Sequence, residues 1–153
     1  MNPVDQLTDL IVETFRLNGR LLAAGDGLVA DLGLTSARWQ VLGAIAASPV
    51  PLPVASIARN MGLSRQGVQR LADLLTGEGF VRFDPNPHHA RAKLLVLTDR
   101  GRQAFADAMA RQRPWAASLS AGLDAGEIAA ALRVATQLRE RLDRAEARGT
   151  ETN

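Results

Sequence analysis

The apolar residues of this 153-residue chain recur with two different periods, and the switch between them divides it into elements. From Asp5 to about Asp31, Leu7, Leu10, Ile11, Thr14, Leu17, Leu21 and Leu28 return at three- and four-residue steps, which predicts one long amphipathic helix. Asp5, Asp9 and Glu13 lie early in it and Arg16 and Arg20 later, the order that suits the helix dipole. Gly25 and Gly27 leave the position of its last turns open. Gly33-Leu34-Thr35 breaks the pattern, and Thr35 caps a second helix, Ser36 to Ala47, with Trp39, Leu42 and Ile45 inward. Three prolines between Ser48 and Pro53 forbid continuous helix and predict an extended connector that can add an edge strand.

The stretch from Leu52 to Gly101 is the most specific. Val54 to Met61 reads as a helix, Gly62-Leu63 as a tight turn and Ser64 as the cap of a following helix. Val68, Leu71 and Leu75 form the apolar side of that helix, and Gly77 and Gly79 close it. Phe80 to Phe83 and Lys93 to Leu97 then bracket a turn-rich tip and predict a hairpin. Beyond it, Thr98 caps a helix from Asp99 to about Arg113, where Pro114 is expected to break or kink the path. Asp124-Ala125-Gly126-Glu127 has the form of a capping box, followed by an apolar stripe of Ile128, Leu132, Ala135, Leu138 and Leu142. Residues from Glu146 onward are small and polar and are expected to fray. The sum is about six helices and one small hairpin, a mainly α chain of the α+β kind. Its two ends carry apolar faces that need a partner.

Composition narrows the function. Cysteine is absent, which excludes disulfides, thiolate metal sites and cysteine redox switches. No apolar run approaches bilayer length and the amino terminus lacks a signal-peptide layout, so no membrane partner and a cytoplasmic location are expected. Net charge is only +2, but its distribution is uneven. From Pro53 to Arg102 eight basic residues stand against four acidic ones, a local net of +4, while the rest of the chain is −2. Positive charge is thus gathered on the helix-turn-helix and hairpin, as a phosphate-binding surface requires.

An α-helix fits the major groove, where Arg reads guanine and Gln reads adenine. Arg65, Gln66, Gln69 and Arg70 are those residue types near the start of the second helix of the pair, and Ser64 stands at its cap. Gln66 and Arg70 are expected to choose sequence, and Ser64 and Arg65 to position the helix on phosphates. A basic hairpin can lay Arg91 in the adjacent minor groove, with Arg82, His88, His89 and Lys93 near the backbone. His88-His89 alone makes a weak metal site without supporting carboxylates or thiolates, so neither metal nor cofactor is expected. No nucleophile–base pair, carboxylate pair or phosphate loop appears in a usable context, and the chain does not read as an enzyme.

Leu34-Thr35 through Trp39 and Leu42, Ser56-Ile57-Ala58, Gly62 to Val68, Gly79-Phe80-Val81 and Leu97-Thr98-Asp99-Arg100-Gly101 together resemble the multiple-antibiotic-resistance-regulator (MarR) family. The resemblance covers about Thr35 to Phe105. It implies a winged helix-turn-helix lobe (35–100) flanked by an N-terminal (1–34) and a C-terminal (101–147) dimerisation region, with a frayed tail at 148–153. Leu7, Leu10, Ile128, Leu132, Leu138 and Leu142 would then serve a homodimer. The implied function is repression from a near-palindromic double-stranded DNA operator, relieved by a small aromatic or anionic effector. By the same resemblance that effector would lie near Arg16, Arg20, Arg38 and Trp39. One departure is plain: family wings carry an Asp and paired Arg residues before the second strand, and here the stretch is His89-Ala90-Arg91. Arg91 therefore lacks its orienting carboxylate. The competing reading is a winged helix used for protein contact or for non-specific architectural DNA binding, which would need an apolar or acidic exposed face on the second helix.

Overall fold

Helix α1 (Pro3–Val29) opens the chain in a computed structural model that describes residues 2–150. The Asn2 side chain starts it by accepting the Val4 N–H at 2.9 Å, and Pro3 supplies a preset φ at the first helical position. The helix runs through Gly25 and Gly27 because α2 (Ser36–Ala47) holds it from outside. Ser36 is buried against Gly25, donates its hydroxyl to the Leu22 carbonyl at 2.7 Å, and gives its N–H to Asp26 at 2.7 Å. A 3₁₀ turn (Ala30–Leu32) joins the two helices. Thr35 caps α2 by accepting the Arg38 N–H at 3.2 Å.

The proline-rich connector ends in strand β1 (Leu52–Pro53), which leads directly into α3 (Val54–Met61). Gly62 turns the chain with φ of 65°, a left-handed conformation that side chains disfavour, and α4 (Arg65–Gly77) follows. Strands β2 (Val81–Asp84) and β3 (Leu94–Leu97) form an antiparallel hairpin, and β1 pairs with the other edge of β3 to give the order β1-β3-β2. Leu95 sits opposite both Leu52 and Phe83 and is fully buried. The core gathers Val29, Val41, Leu42, Ile57, Val68, Leu75, Val81 and Leu95 from α1 to α4, β2 and β3, together with Phe80 just before β2, and Leu52 of β1 packs on it half-buried.

Helix α5 (Asp99–Ser120) continues through Pro114, so the expected end near Arg113 is not met. Proline cannot donate to the carbonyl four residues earlier, that of Ala110, but Ala110 is exposed and water can satisfy it. The first compact unit ends at Arg113. Within it Arg111 ties α5 to the 3₁₀ turn: its guanidinium bonds the Leu28 carbonyl at 3.0 Å and grips both oxygens of Asp31. That hydrogen-bonded pairing holds the Asp31 carboxyl below its ordinary range and raises Arg111.

The second unit, from Pro114, comprises the end of α5, a turn, and α6 (Ala125–Thr150). Asp124 caps α6 by accepting the Glu127 N–H at 3.0 Å. The helix continues past Glu146, where fraying was expected. Arg148 bonds back to the Arg144 carbonyl and Thr150 to those of Glu146 and Ala147. Residues 151–153 of the expected tail lie outside the described residues.

The recognition of α4 by the rest of its lobe centres on Phe80, which is 1% exposed. Its N–H bonds the Leu75 carbonyl at 2.9 Å and its carbonyl accepts the Thr98 N–H at 3.1 Å. The ring lies under Gly33 and the Arg100 guanidinium, 4.6 Å from the latter. Gly101 presses on the same peptide: a Cβ there would fall 1.9 Å from the Phe80 oxygen. Gly101→Ala is therefore expected to lower unfolding free energy by about 3 kcal/mol, read as a reduced urea midpoint with unchanged slope.

Candidate nucleic-acid interface

Val68, Ala72 and Leu75 are the buried residues of α4 and set its inward direction. With about 100° between successive residues, Gln66, Arg70, Asp73 and Gly77 line the opposite side at spacings of four, three and four. Arg65 and Gln69 flank that stripe, and all of these side chains are exposed. Ser64 accepts the Gly67 N–H at 3.0 Å, so its oxygen acts as the helix cap while its own proton stays free to donate. Gln69 donates its amide to Asp73 at 2.9 Å.

The hairpin brings its cations to the flank of α4. Arg65 and Gln69 from α4 and Arg91 and Lys93 from the hairpin line one open cavity of about 280 Å³, together with Pro53, Val54, Ala55, Phe83 and Ala92. No acidic side chain among the described residues lines it. The amino end of α3 also borders this cavity, and Pro53 gives it no side-chain cap, so its first N–H groups add positive potential. Among the described residues Arg65, Arg70, Arg91 and Lys93 have no ion-pair partner, whereas Arg82 is committed to Asp84 by bonds of 3.0 and 3.3 Å. His88 and His89 are exposed at the tip and do not line the cavity.

Asn86 braces the backbone of the tip rather than Arg91. Its amide donates to the Ala92 carbonyl at 2.8 Å and its carbonyl oxygen accepts the His88 N–H at 3.0 Å, so one side chain spans the loop ahead of β3. The bracing is local and legible in principle, since Asn before Pro starts such turns.

The residues read as effector-facing are dispersed. Arg16 lies exposed with Glu13 at 3.5 Å, Arg20 is exposed, and Trp39 is half-buried against the core. Arg38 is engaged: one nitrogen bonds both oxygens of Glu78 at 2.9 and 3.0 Å and the Gly33 carbonyl at 3.3 Å. Glu78 stands at the C-cap of α4, so the contact ties the end of α4 to the start of α2. None of the four lines the 280 Å³ cavity. Of the apolar residues read as dimerising, Leu7 and Leu10 are exposed on α1. Leu132 and Leu142 on α6 are 67% and 70% exposed, Ile128 is exposed and Leu138 is half-buried. Sequence reasoning missed Asp73, Asn86 and Glu78. The first was legible as an i, i+4 partner of Gln69, whereas Glu78 meets Arg38 across forty residues and carried no local signal.

A helix-turn-helix whose second helix is exposed beside a basic hairpin, on a three-stranded sheet, defines a winged helix-turn-helix. A sequence profile of the MarR family matches residues 32–92. An uncharacterized protein of Mycobacterium tuberculosis (strain ATCC 25618 / H37Rv) is 39% identical over 101 residues, covering 66% of this chain and 69% of that one. The crystal structure of the transcriptional regulator PA3341 superimposes with a TM-score of 0.74 at 28% identity, covering 90% of this chain and 98% of that one. The M. tuberculosis regulator MOSR in complex with DNA shares the fold with a TM-score of 0.74 at 24% identity, over 88% and 96% of the two chains. The chain belongs to the MarR family and has the fold of its winged-helix transcription regulators.

Among the described residues no helix is long and apolar enough to cross a membrane. Asn86→Ala is expected to release the tip: the His88 amide should lose its hydrogen-exchange protection, with core amides of β3 unchanged.

Proposed function

We propose that this chain is a sequence-specific, double-stranded DNA-binding transcriptional regulator that acts in the cytoplasm as a homodimeric repressor. The observation that carries the reading is the convergence of Arg65, Arg91 and Lys93, unpaired and from two elements, on one cavity free of acidic residues. Such a cleft suits a phosphate backbone, whose neutralisation supplies most of the affinity. The adjacent stripe of Gln66 and Arg70 then faces base edges in the major groove. The MOSR structure, solved with DNA, supports the same use of a shared fold. In this reading Ser64 and Arg65 position α4, while Arg91, Lys93, His88 and His89 serve the wing. Arg82 supports the wing through Asp84 rather than by reaching for phosphate.

The regions 1–34 and 101–147 form the dimer and 35–100 the DNA-binding lobe. Exposed apolar side chains recurring along α1 and α6 support self-association, because contiguous apolar faces are seldom left to water. A two-fold pair of α4 helices fits a near-palindromic operator with half-sites about 10 bp apart. A small aromatic or anionic effector belongs to the same reading, near Arg16, Arg20, Arg38 and Trp39. A carboxylate that reached Arg38 would have to displace Glu78.

Selection of bound sequences from a random duplex library tests the reading. Arg70→Ala or Gln66→Ala is expected to cost about 1–3 kcal/mol on the selected operator and much less on random DNA. Equal losses on both would reduce these side chains to phosphate contacts, and a wild-type protein with no salt-sensitive preference would refute the reading. Leu138→Glu is expected to yield monomers by sedimentation and to weaken operator binding in parallel. A monomer of undiminished affinity would refute the dimeric mode.

A further inference from the structure

Asp73 is the anomaly of the α4 surface. It stands in the outward stripe with Gln66 and Arg70, on the face that the proposed function turns toward a polyanion. A carboxylate there repels phosphate at every sequence, so its presence lowers general affinity unless some DNA sequences offer it a donor. Its bond with Gln69 gives it a fixed role. A carboxylate can only accept, so the Gln69 amide must turn its NH₂ toward Asp73 whichever way the amide atoms are assigned. That leaves the Gln69 carbonyl oxygen and the second Asp73 oxygen, which has no hydrogen bond among the described residues, as two neighbouring acceptors. From Gln66 to Asp73 the stripe spans seven residues, roughly 10 Å or about three base pairs of groove. Asp73 thus lies within the length of helix that a major groove accommodates.

Only two groups on the major-groove edges of bases donate: the cytosine N4 amine and the adenine N6 amine. Adenine sets its N7 acceptor beside that amine, which opposes a carboxylate, whereas cytosine presents the donor alone. We propose that Asp73, oriented by Gln69, is a specificity-determining residue that takes a cytosine amine in the major groove. The inference rests on the DNA-binding reading above and adds the base class and a second property. Asp73 raises selectivity by weakening binding to every sequence that lacks the cytosine.

The test uses the full chain, with duplex libraries selected by wild type and by Asp73→Asn and Gln69→Leu. Wild type is expected to require a C·G pair at one position of each half-site, with about tenfold weaker binding when that pair is replaced. Asp73→Asn should lose the requirement at that pair alone, keep the preferences set by Gln66 and Arg70, and bind random duplex more tightly. Gln69→Leu should relax the same position, because Asp73 loses its orienting donor. Both substitutions are at exposed positions, and thermal unfolding within a few degrees of wild type establishes that the variants are folded. An Asp73→Asn protein with the wild-type profile at every position would overturn the role of Asp73 alone. Uniformly altered affinity without a positional change would do the same. A wild type that selects no sequence at all would overturn the DNA-binding reading together with this one.

Discussion

The peptide groups of Phe80 hold four elements in register, and the geometry of the DNA-facing surface depends on them. Phe80 N–H closes the end of α4 on Leu75, and its carbonyl bonds Thr98 at the junction of β3 and α5. Thr98 repeats the link through its side chain, giving its hydroxyl to the Gly79 carbonyl at 2.6 Å and accepting the Gly101 N–H at 3.0 Å. Because β2 begins one residue after Phe80, the angle between α4 and the hairpin is set by these few bonds. The close approach of Gly101 leaves no room for another residue, so the Gly79-Phe80 and Thr98-Asp99-Arg100-Gly101 motifs are two halves of one joint. The Arg38–Glu78 contact adds a second restraint at the same end of α4, and Ser64 fixes the other.

The arginines divide into two populations by what they face. Arg38, Arg82 and Arg111 have carboxylate partners and act on the protein itself. Arg65, Arg70, Arg91 and Lys93 have none among the described residues; Arg65, Arg91 and Lys93 line one cavity and Arg70 stands in the adjacent stripe of α4. A cation left unpaired at a concave surface keeps its full attraction for an outside anion, whereas a paired one must first give up its partner. The local charge excess seen in the sequence is therefore concentrated further in space than along the chain.

Much of the lobe is legible in the sequence because its signals are local. Thr35, Ser64 and Asp124 cap the helices they were read to cap, Gly62 makes the predicted turn, and the proline-rich connector yields an edge strand. Pro114 misleads because its rule weighs one lost hydrogen bond, while twenty-one other residues of α5 favour the helix and water reaches Ala110. Arg38 was placed near an effector by the family resemblance. Its partner Glu78 becomes its neighbour only through the fold, which no spacing rule encodes. Asp73 was within reach of the sequence as an i, i+4 partner of Gln69 on the side of α4 opposite Val68 and Leu75. The exposed apolar residues of α1 and α6 read clearly as surfaces needing cover, but periodicity alone does not name what covers them.

The Asn86 brace has a consequence for how the wing tip meets ionic strength. An ion pair at the tip would loosen as salt screened it, so the shape of the wing would change along with its attraction for DNA. Asn86 carries no charge, and its bonds to Ala92 and His88 are indifferent to the Debye length. Salt therefore has no ion pair to screen in the Asn86 brace. Ionic strength then acts on the wing through the charges it presents outward and through the Arg82–Asp84 pair in β2, and not through the Asn86 brace.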